Sequence, residues 1–135
     1  MLIANRGEIA IRISRAAADL GIQTVAVYPA DDAKSLHVVS ADEAFMLKGK
    51  GVTAYLDAEQ IIFAAKELGC DAIHPGYGFL SENVTFAKRC TEVGLTFIGP
   101  RPDILQLFGN KIEARTLPRQ QDVPLLPGTA MAATR

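Results

Sequence analysis

One pattern recurs three times along these 135 residues: a segment with helical apolar spacing ends in an apolar residue plus Gly, a short apolar run follows, and Pro closes it. The instances are Leu20-Gly21 to Pro29, Leu68-Gly69 to Pro75, and Val93-Gly94 to Pro100. Glycine just past a helix enters the left-handed conformation with no Cβ to clash, so it closes helices readily. The runs Thr24–Tyr28, Asp71–His74 and Thr96–Ile98 are mostly apolar without strict alternation, as strands buried on both faces of a parallel sheet read. Adding short strands over Leu2–Ala4 and Ala44–Leu47 gives the order β-α-β-(short α)-β-α-β-α-β. That alternation predicts an α/β fold, an open and mostly parallel sheet with helices on both faces.

The helices carry their own signals. Over Glu8–Leu20, the residues Ile9, Ile13, Ala16, Ala17 and Leu20 share a stripe; over Ala58–Leu68, Ile61, Ile62, Ala65 and Leu68 do so. Asp57 is the predicted N-cap of the second, with Gln60 completing a capping box. Over Glu82–Val93 the stripe is Phe86, Ala87, Cys90 and Val93, with Ser81 as N-cap. Gly49–Ala54 reads as a flexible approach to Tyr55. Beyond Pro100, Asp103–Phe108 and Lys111–Leu117 read as short helices, Val123–Pro127 as an extended exit, and the last residues as a poorly ordered tail.

Several function classes are disfavoured. Fourteen basic residues against 15 acidic ones supply no electrostatic footprint for nucleic acid. No apolar run approaches the roughly 18 residues of a membrane span, and the N-terminus lacks a signal-peptide pattern. Cys70 and Cys90 have no metal-ligand spacing and do not cluster with His37 or His74, so they read as reduced, buried residues and no metal site can be argued.

Five features could carry chemistry. His74-Pro75-Gly76-Tyr77-Gly78-Phe79-Leu80-Ser81-Glu82-Asn83 lies where a strand ends and a helix begins, the position at which open α/β sheets bind ligands. Its glycines allow close backbone approach to a ligand, or serve only a tight turn. Asn5-Arg6-Gly7-Glu8 either contributes to a site or closes a βα junction, with Arg6 and Glu8 pairing to neighbouring loops. Arg12, Arg15 and Asp19 share one helix face, either solvated or a polar subunit interface. Lys111, after Gly109-Asn110, either reaches an anion or is a surface lysine. His74 either titrates usefully or holds its loop by a backbone hydrogen bond.

Taken together, the segments are more specific. Leu2-Ile3-Ala4-Asn5-Arg6-Gly7-Glu8-Ile9-Ala10, Leu36-His37-Val38, Ala41-Asp42-Glu43-Ala44, Tyr55-Leu56-Asp57, His74 to Asn83, Phe97-Ile98-Gly99-Pro100, Gly109-Asn110-Lys111, Val123-Pro124 and Pro127-Gly128-Thr129 stand in the order and spacing of biotin carboxylases. The chain resembles the N-terminal domain of that family over residues 2 to about 129. The resemblance implies a Rossmann-like, pre-ATP-grasp domain over 1–129, with the ATP-grasp and C-terminal domains outside the chain; the small, polar residues 130–135 read as a disordered tail. The full enzyme it implies uses MgATP and bicarbonate to carboxylate biotin on a carrier protein or domain, through carboxyphosphate. It works with a carboxyltransferase, as a homodimer, within an acetyl-CoA, propionyl-CoA, methylcrotonyl-CoA or pyruvate carboxylase.

Residue by residue, Lys111 matches the family lysine that contacts ATP. Tyr77 and Gly78, with Glu82 as a weaker match, fall on the loop lining the biotin and bicarbonate end. Arg12, Arg15 and Asp19 match part of a homodimer interface. No residue matches the family's catalytic base, metal ligands or bicarbonate-binding arginine. The resemblance therefore implies a chain inactive alone, without tightly bound ATP, Mg2+ or biotin. It places the enzyme in the cytoplasm, or in the mitochondrial matrix of a eukaryote. Asn110 stands where the family usually has Asp, and Pro118 would end a helix early. Two other readings are an oxidoreductase dinucleotide domain, against which Asn5-Arg6-Gly7-Glu8 lacks the glycine fingerprint, and a non-catalytic dimerisation or interaction module.

Overall fold

β1 (Leu2–Ile3) lies at the centre of a five-stranded sheet ordered β3-β2-β1-β4-β5. β2 is Val25–Pro29, β3 Glu43–Leu47, β4 Ala72–His74 and β5 Thr96–Phe97. Every pairing is parallel; Leu2 stands opposite Val25 on one side and Ile73 on the other. The computed structural model describes residues 1–109. Residues 1–99 form one unit, and a second begins at Pro100.

At its centre both faces of the sheet are covered, as the lack of strict alternation predicts, whereas β3 at the edge is mostly exposed. Successive side chains of a strand point to opposite faces. Leu2 and Ala4 join a core with Ile61, Ala65, Phe86 and Cys90 from the helices α4 (Ala58–Glu67) and α5 (Val84–Glu92). Ile3 instead packs with Ile9, Ala10 and Ile13 of α1 (Gly7–Asp19). Fully burying an aliphatic or aromatic side chain contributes about 1.5–3 kcal/mol, so these two clusters hold the layers together. The shorter helices are α2 (Leu36–Val39) and α3 (Gly51–Tyr55).

The helix ends follow the repeated glycines. α1, α4 and α5 end at the C-caps Leu20, Leu68 and Val93, and Gly21, Gly69 and Gly94 follow at φ of 68°, 63° and 77°. Asp57 caps α4 by accepting from the Gln60 N–H at 3.0 Å. The Gln60 carboxamide reaches the backbone of Lys48, just past the β3 edge. It accepts from the Lys48 N–H and donates to the Lys48 carbonyl at 3.2 Å.

Several expectations need correction. α5 starts at Val84 and its cap is Asn83, which accepts from the Phe86 N–H at 2.9 Å; Ser81 sits in a preceding turn, its N–H bonded to the Gly78 carbonyl. Gly51–Tyr55 is helical rather than a loose approach, because the Asp31 carboxylate accepts from the Gly51 N–H at 2.9 Å. Ala16 and Leu20 are exposed, Leu20 by 74%, so the buried stripe of α1 is Ile9, Ala10, Ile13, Ser14 and Ala17. Cys90 is buried, whereas Cys70 is only half-buried; both are free thiols.

In the second unit, α6 spans Pro102–Gly109, in place of the expected Asp103–Phe108. Arg101 pairs with Asp103 at its start. The expected helix at Lys111–Leu117, the extended exit at Val123–Pro127, the tail at 130–135, Asn110 and Pro118 lie outside the described residues.

Candidate functional site

From β1 the chain winds through β2 to β3 at one edge, then crosses back to β4 and β5 on the other side of β1. The winding therefore reverses between β1 and β4. In open α/β sheets, the crevice outside the carboxyl ends of the strands at such a reversal receives ligands. Two loops meet there: Ala4 to Arg6 after β1, and Pro75 to Asn83 after β4.

Asn5 joins them. Its Nδ2 donates to the Pro75 carbonyl at 2.7 Å and to the Tyr77 carbonyl at 2.9 Å, while Oδ1 accepts from the Arg6 N–H at 2.9 Å. The residue is 3% exposed. A second stitch runs along the surface, where the Tyr77 hydroxyl donates to Glu8 Oε1 at 3.3 Å. His74 anchors the loop's start, Nδ1 accepting from the Gly76 N–H at 3.1 Å. Burial lowers the His74 pKa, which keeps the ring neutral and able to accept. Of the two roles open for His74, the structure shows the loop-holding bond.

The loop itself is unusual in its backbone. Gly76 and Gly78 have φ of 66° and 64°, and Phe79 has φ of 45°. A left-handed phenylalanine is strained and persists only where its surroundings hold it. Here its ring stacks on Tyr55, with centroids 5.5 Å apart and planes 12° from parallel.

Tyr55 in turn belongs to a polar network that sequence reasoning did not assemble. Asp32 accepts from the Tyr55 hydroxyl at 2.8 Å, from Ser35 Oγ at 3.1 Å, and twice from Arg6, through Nε and one terminal nitrogen, each at 2.7 Å. Burial pushes the Asp32 carboxyl upward, but these hydrogen bonds outweigh it and hold its pKa below the ordinary value. Burial, and next the bond to Asp32, raise the Tyr55 pKa, so the phenol stays protonated and donates. His37 is 1% exposed; its Nε2 lies 3.3 Å from the Val27 carbonyl, and burial lowers its pKa. The neutral ring therefore donates to Val27. The signal that could have found the network was present in the chain, since Arg6, His37 and Tyr55 all stand in segments that resemble one family.

The matching segments noted in the sequence thus include two loops in physical contact, although Asn5 and Pro75 are 70 residues apart. The model of the biotin carboxylase N-terminal domain family matches residues 1–105. The chain belongs to that family. It is 53% identical over 131 residues to a pyruvate carboxylase of Staphylococcus aureus, covering 96% of this chain and 11% of that protein. To a biotin carboxylase of Halalkalibacterium halodurans it is 51% identical over 133 residues, covering 98% of this chain and 29% of that protein. Among solved structures, the biotin carboxylase domain of a single-chain bacterial carboxylase superposes with a TM-score of 0.92 at 56% identity, over 97% of this chain and 31% of that one. The biotin carboxylase domain dimer of the Hydrogenobacter thermophilus 2-oxoglutarate carboxylase, in complex with MgADP, ADP and bicarbonate, gives a TM-score of 0.92 at 48% identity, over 96% and 28%. The chain therefore spans less than a third of the length of these relatives. It corresponds to the N-terminal region of biotin carboxylase domains, and the fold is the α/β, Rossmann-like one that the family resemblance implied.

Of the residues singled out from the sequence, the structure gathers Tyr77, Gly78 and Glu82 on the loop after β4. Tyr77 is 63% exposed, and Glu82 is exposed in the turn before α5. Arg12, Arg15 and Asp19 are exposed on α1, where Arg12 and Arg15 border a shallow groove with Glu8 and Ile11. Lys111 lies outside the described residues. Among the described residues no three His, Cys, Asp or Glu side chains gather as a metal-binding group. No helix among them is long and apolar enough to cross a membrane.

Proposed function

We propose that this chain is the N-terminal domain, over residues 1–129, of a biotin carboxylase that uses MgATP and bicarbonate to carboxylate biotin on a carrier protein or domain. The observation that supports the reading most is the Asn5-stitched pair of loops at the reversal between β1 and β4, within a domain whose family is biotin carboxylase. In this reading Tyr77 and Gly78, with Glu82 beside them, line the biotin and bicarbonate end of the site. Lys111 contacts ATP. The remaining donors for Mg2+, the catalytic base and the bicarbonate-binding group come from outside these 135 residues, so the chain alone does not turn over. A carboxyltransferase receives the carboxyl group. The enzyme works in the cytoplasm, or in the mitochondrial matrix if it is eukaryotic, as the names of the mitochondrial relatives suggest.

Arg12, Arg15 and Asp19 form a homodimer face in the same reading. Their exposure on α1 supports it, as does the neighbouring apolar groove to which Ala16, Leu20 and Ile22 contribute. A folded chimera that still associates but carboxylates no biotin would instead favour a non-catalytic interaction module.

The test is a chimera in which residues 1–105 replace the matching segment of the Halalkalibacterium halodurans biotin carboxylase. Retained bicarbonate-dependent carboxylation of biotin is the expected result. A folded but inactive chimera removes the reading. Calorimetric titration of the 135-residue chain with MgATP, with Lys111→Ala as control, tests the incomplete-site claim: no binding at millimolar nucleotide is expected, and tight Lys111-dependent binding would overturn it.

A further inference from the structure

We propose that Asn5 is a positioning residue that holds the Tyr77 loop in its working shape, through the two N–H donors of its carboxamide rather than through its bulk. The inference rests on the reading that this loop faces the biotin and bicarbonate end of the site.

The hydrogen-bond inventory of Asn5 is complete. Both N–H groups of Nδ2 are committed, one to the Pro75 carbonyl and one to the Tyr77 carbonyl, and Oδ1 takes the Arg6 N–H. Exchanging the amide's oxygen and nitrogen would put a lone pair against two carbonyls and an N–H against an N–H, so the orientation is determined by its partners. The two acceptors flank Gly76, and one amide group therefore spans the turn as a bracket. The fit is close: a Cβ built on Gly76 would lie 2.6 Å from Asn5 Nδ2, 3.0 Å from Cγ and 3.2 Å from Cβ. Gly76 also has φ of 66°, so its lack of a side chain serves both the turn and the amide seated against it.

What the bracket supports is a segment that would not hold its own shape. Gly78 and Phe79 follow with φ of 64° and 45°, and Tyr77 is exposed by 63%. The other restraints on this stretch include the bond from the Tyr77 hydroxyl to Glu8, the bond from the Ser81 N–H to the Gly78 carbonyl, the stack of Phe79 on Tyr55 and the burial of Leu80. Asn5 adds a buried hydrogen bond to the loop's start, from a residue attached to β1, the central strand. Buried carbonyls that lose their donors are destabilised, and a loop can escape that penalty by opening to water.

Four variants separate donor chemistry from bulk: Asn5→Asp, Asn5→Leu, Asn5→Ser and Asn5→Ala. Asn5→Asp keeps the volume but, ionised at about pH 8, turns acceptors toward two carbonyls. Asn5→Ser retains one donor and Asn5→Ala none. The readout is amide hydrogen exchange of the 135-residue chain, comparing the bonded amides of the loop, Gly76, Ser81 and Asn83, with Phe86–Cys90 of α5. The bracket predicts that protection of these three falls in the order wild type, Asn5→Ser, Asn5→Ala, Asn5→Asp, by about tenfold or more for the last. Protection in α5 should hold. If Asn5→Asp matches wild type while Asn5→Ala loosens the loop, the side chain acts as filler and the proposal is wrong; unchanged protection in all four also overturns it. Should Asn5→Asp not fold, Asn5→Leu decides, since it keeps about the same bulk and offers no donor: local loosening supports the bracket, and wild-type protection refutes it. The chimera's activity tests the biotin carboxylase reading and exchange tests the bracket, so failure of either is seen apart from the other.

Discussion

The Tyr55 hydroxyl and Arg6 Nε converge on the same oxygen of Asp32, at 2.8 Å and 2.7 Å, and the Arg6 guanidinium carbon lies 5.9 Å from the centre of the Tyr55 ring. Three segments that follow β1, β2 and β3 are tied at one carboxylate. Asp32 is largely shielded and Arg6 partly so, with side chains 13% and 43% exposed. The bidentate geometry raises the pair above an ordinary surface ion pair.

Tyr55→Phe removes one of four hydrogen bonds to Asp32 and leaves the stack on Phe79. The expected loss is about 1–2 kcal/mol in urea unfolding. Asp32→Ala should be more damaging, because it strands the buried Tyr55 hydroxyl and the Arg6 charge together. Equal stability of Asp32→Ala and wild type would show that the network contributes nothing net.

Acid should weaken the fold in two stages. Burial lowers the pKa of His37, and burial also lowers that of His74. Each favours the neutral form when folded, so the stability it contributes is present above the unfolded value of about 6.5 and is lost as pH falls below that toward the folded value. Asp32 is a depressed carboxyl: its contribution is present above about 3.9 and is lost as pH falls through its lower folded value. Urea midpoints from about pH 8 to about pH 3 should show both declines. His74→Asn, which keeps an acceptor near the Gly76 N–H, should shrink the first; an unchanged first decline would exclude His74 as its source.

Asn83→Ala should destabilise the protein by about 1 kcal/mol, the usual loss for an N-cap. Ser81→Ala should stay within about 0.5 kcal/mol, as for a surface change. Thermal or urea melts of the two variants decide between the caps, and the reverse ranking would place the start of α5 at Glu82.

The proposed dimer face gives a fourth expectation. Sedimentation of the chain should show concentration-dependent association that Arg15→Glu weakens at least several-fold. A single monomeric species from micromolar to several hundred micromolar would remove the dimer reading for the isolated chain.

Much of this fold was legible because its punctuation is local. Gly21, Gly69 and Gly94 mark the ends of α1, α4 and α5, and Asp57 announces the start of α4 within three residues of the N–H it caps. Where the deciding partner is distant, the sequence was silent. α3 begins on a carboxylate from Asp31, 20 residues earlier, and nothing near Gly51 reveals it. Ser81 and Asn83 are both competent caps; the choice follows from turns in which the Ser81 and Asn83 N–H groups bond to Gly78 and Leu80. The candidate loop could be placed at a strand end from its glycines. Its bracket by Asn5, 70 residues away from Pro75, needed the β1–β4 pairing, which periodicity does not specify.

Gln60 answers both the N–H and the carbonyl of Lys48, offering with one side chain what a neighbouring strand would offer with its backbone. β3 is the outermost strand on that side of the sheet, with Ala44 and Met46 exposed. Such borders recruit stray strands from other molecules. A carboxamide already seated at Lys48 occupies both backbone groups of the residue that follows β3, so one side chain of α4 closes off the strand's end and ties the helix to it.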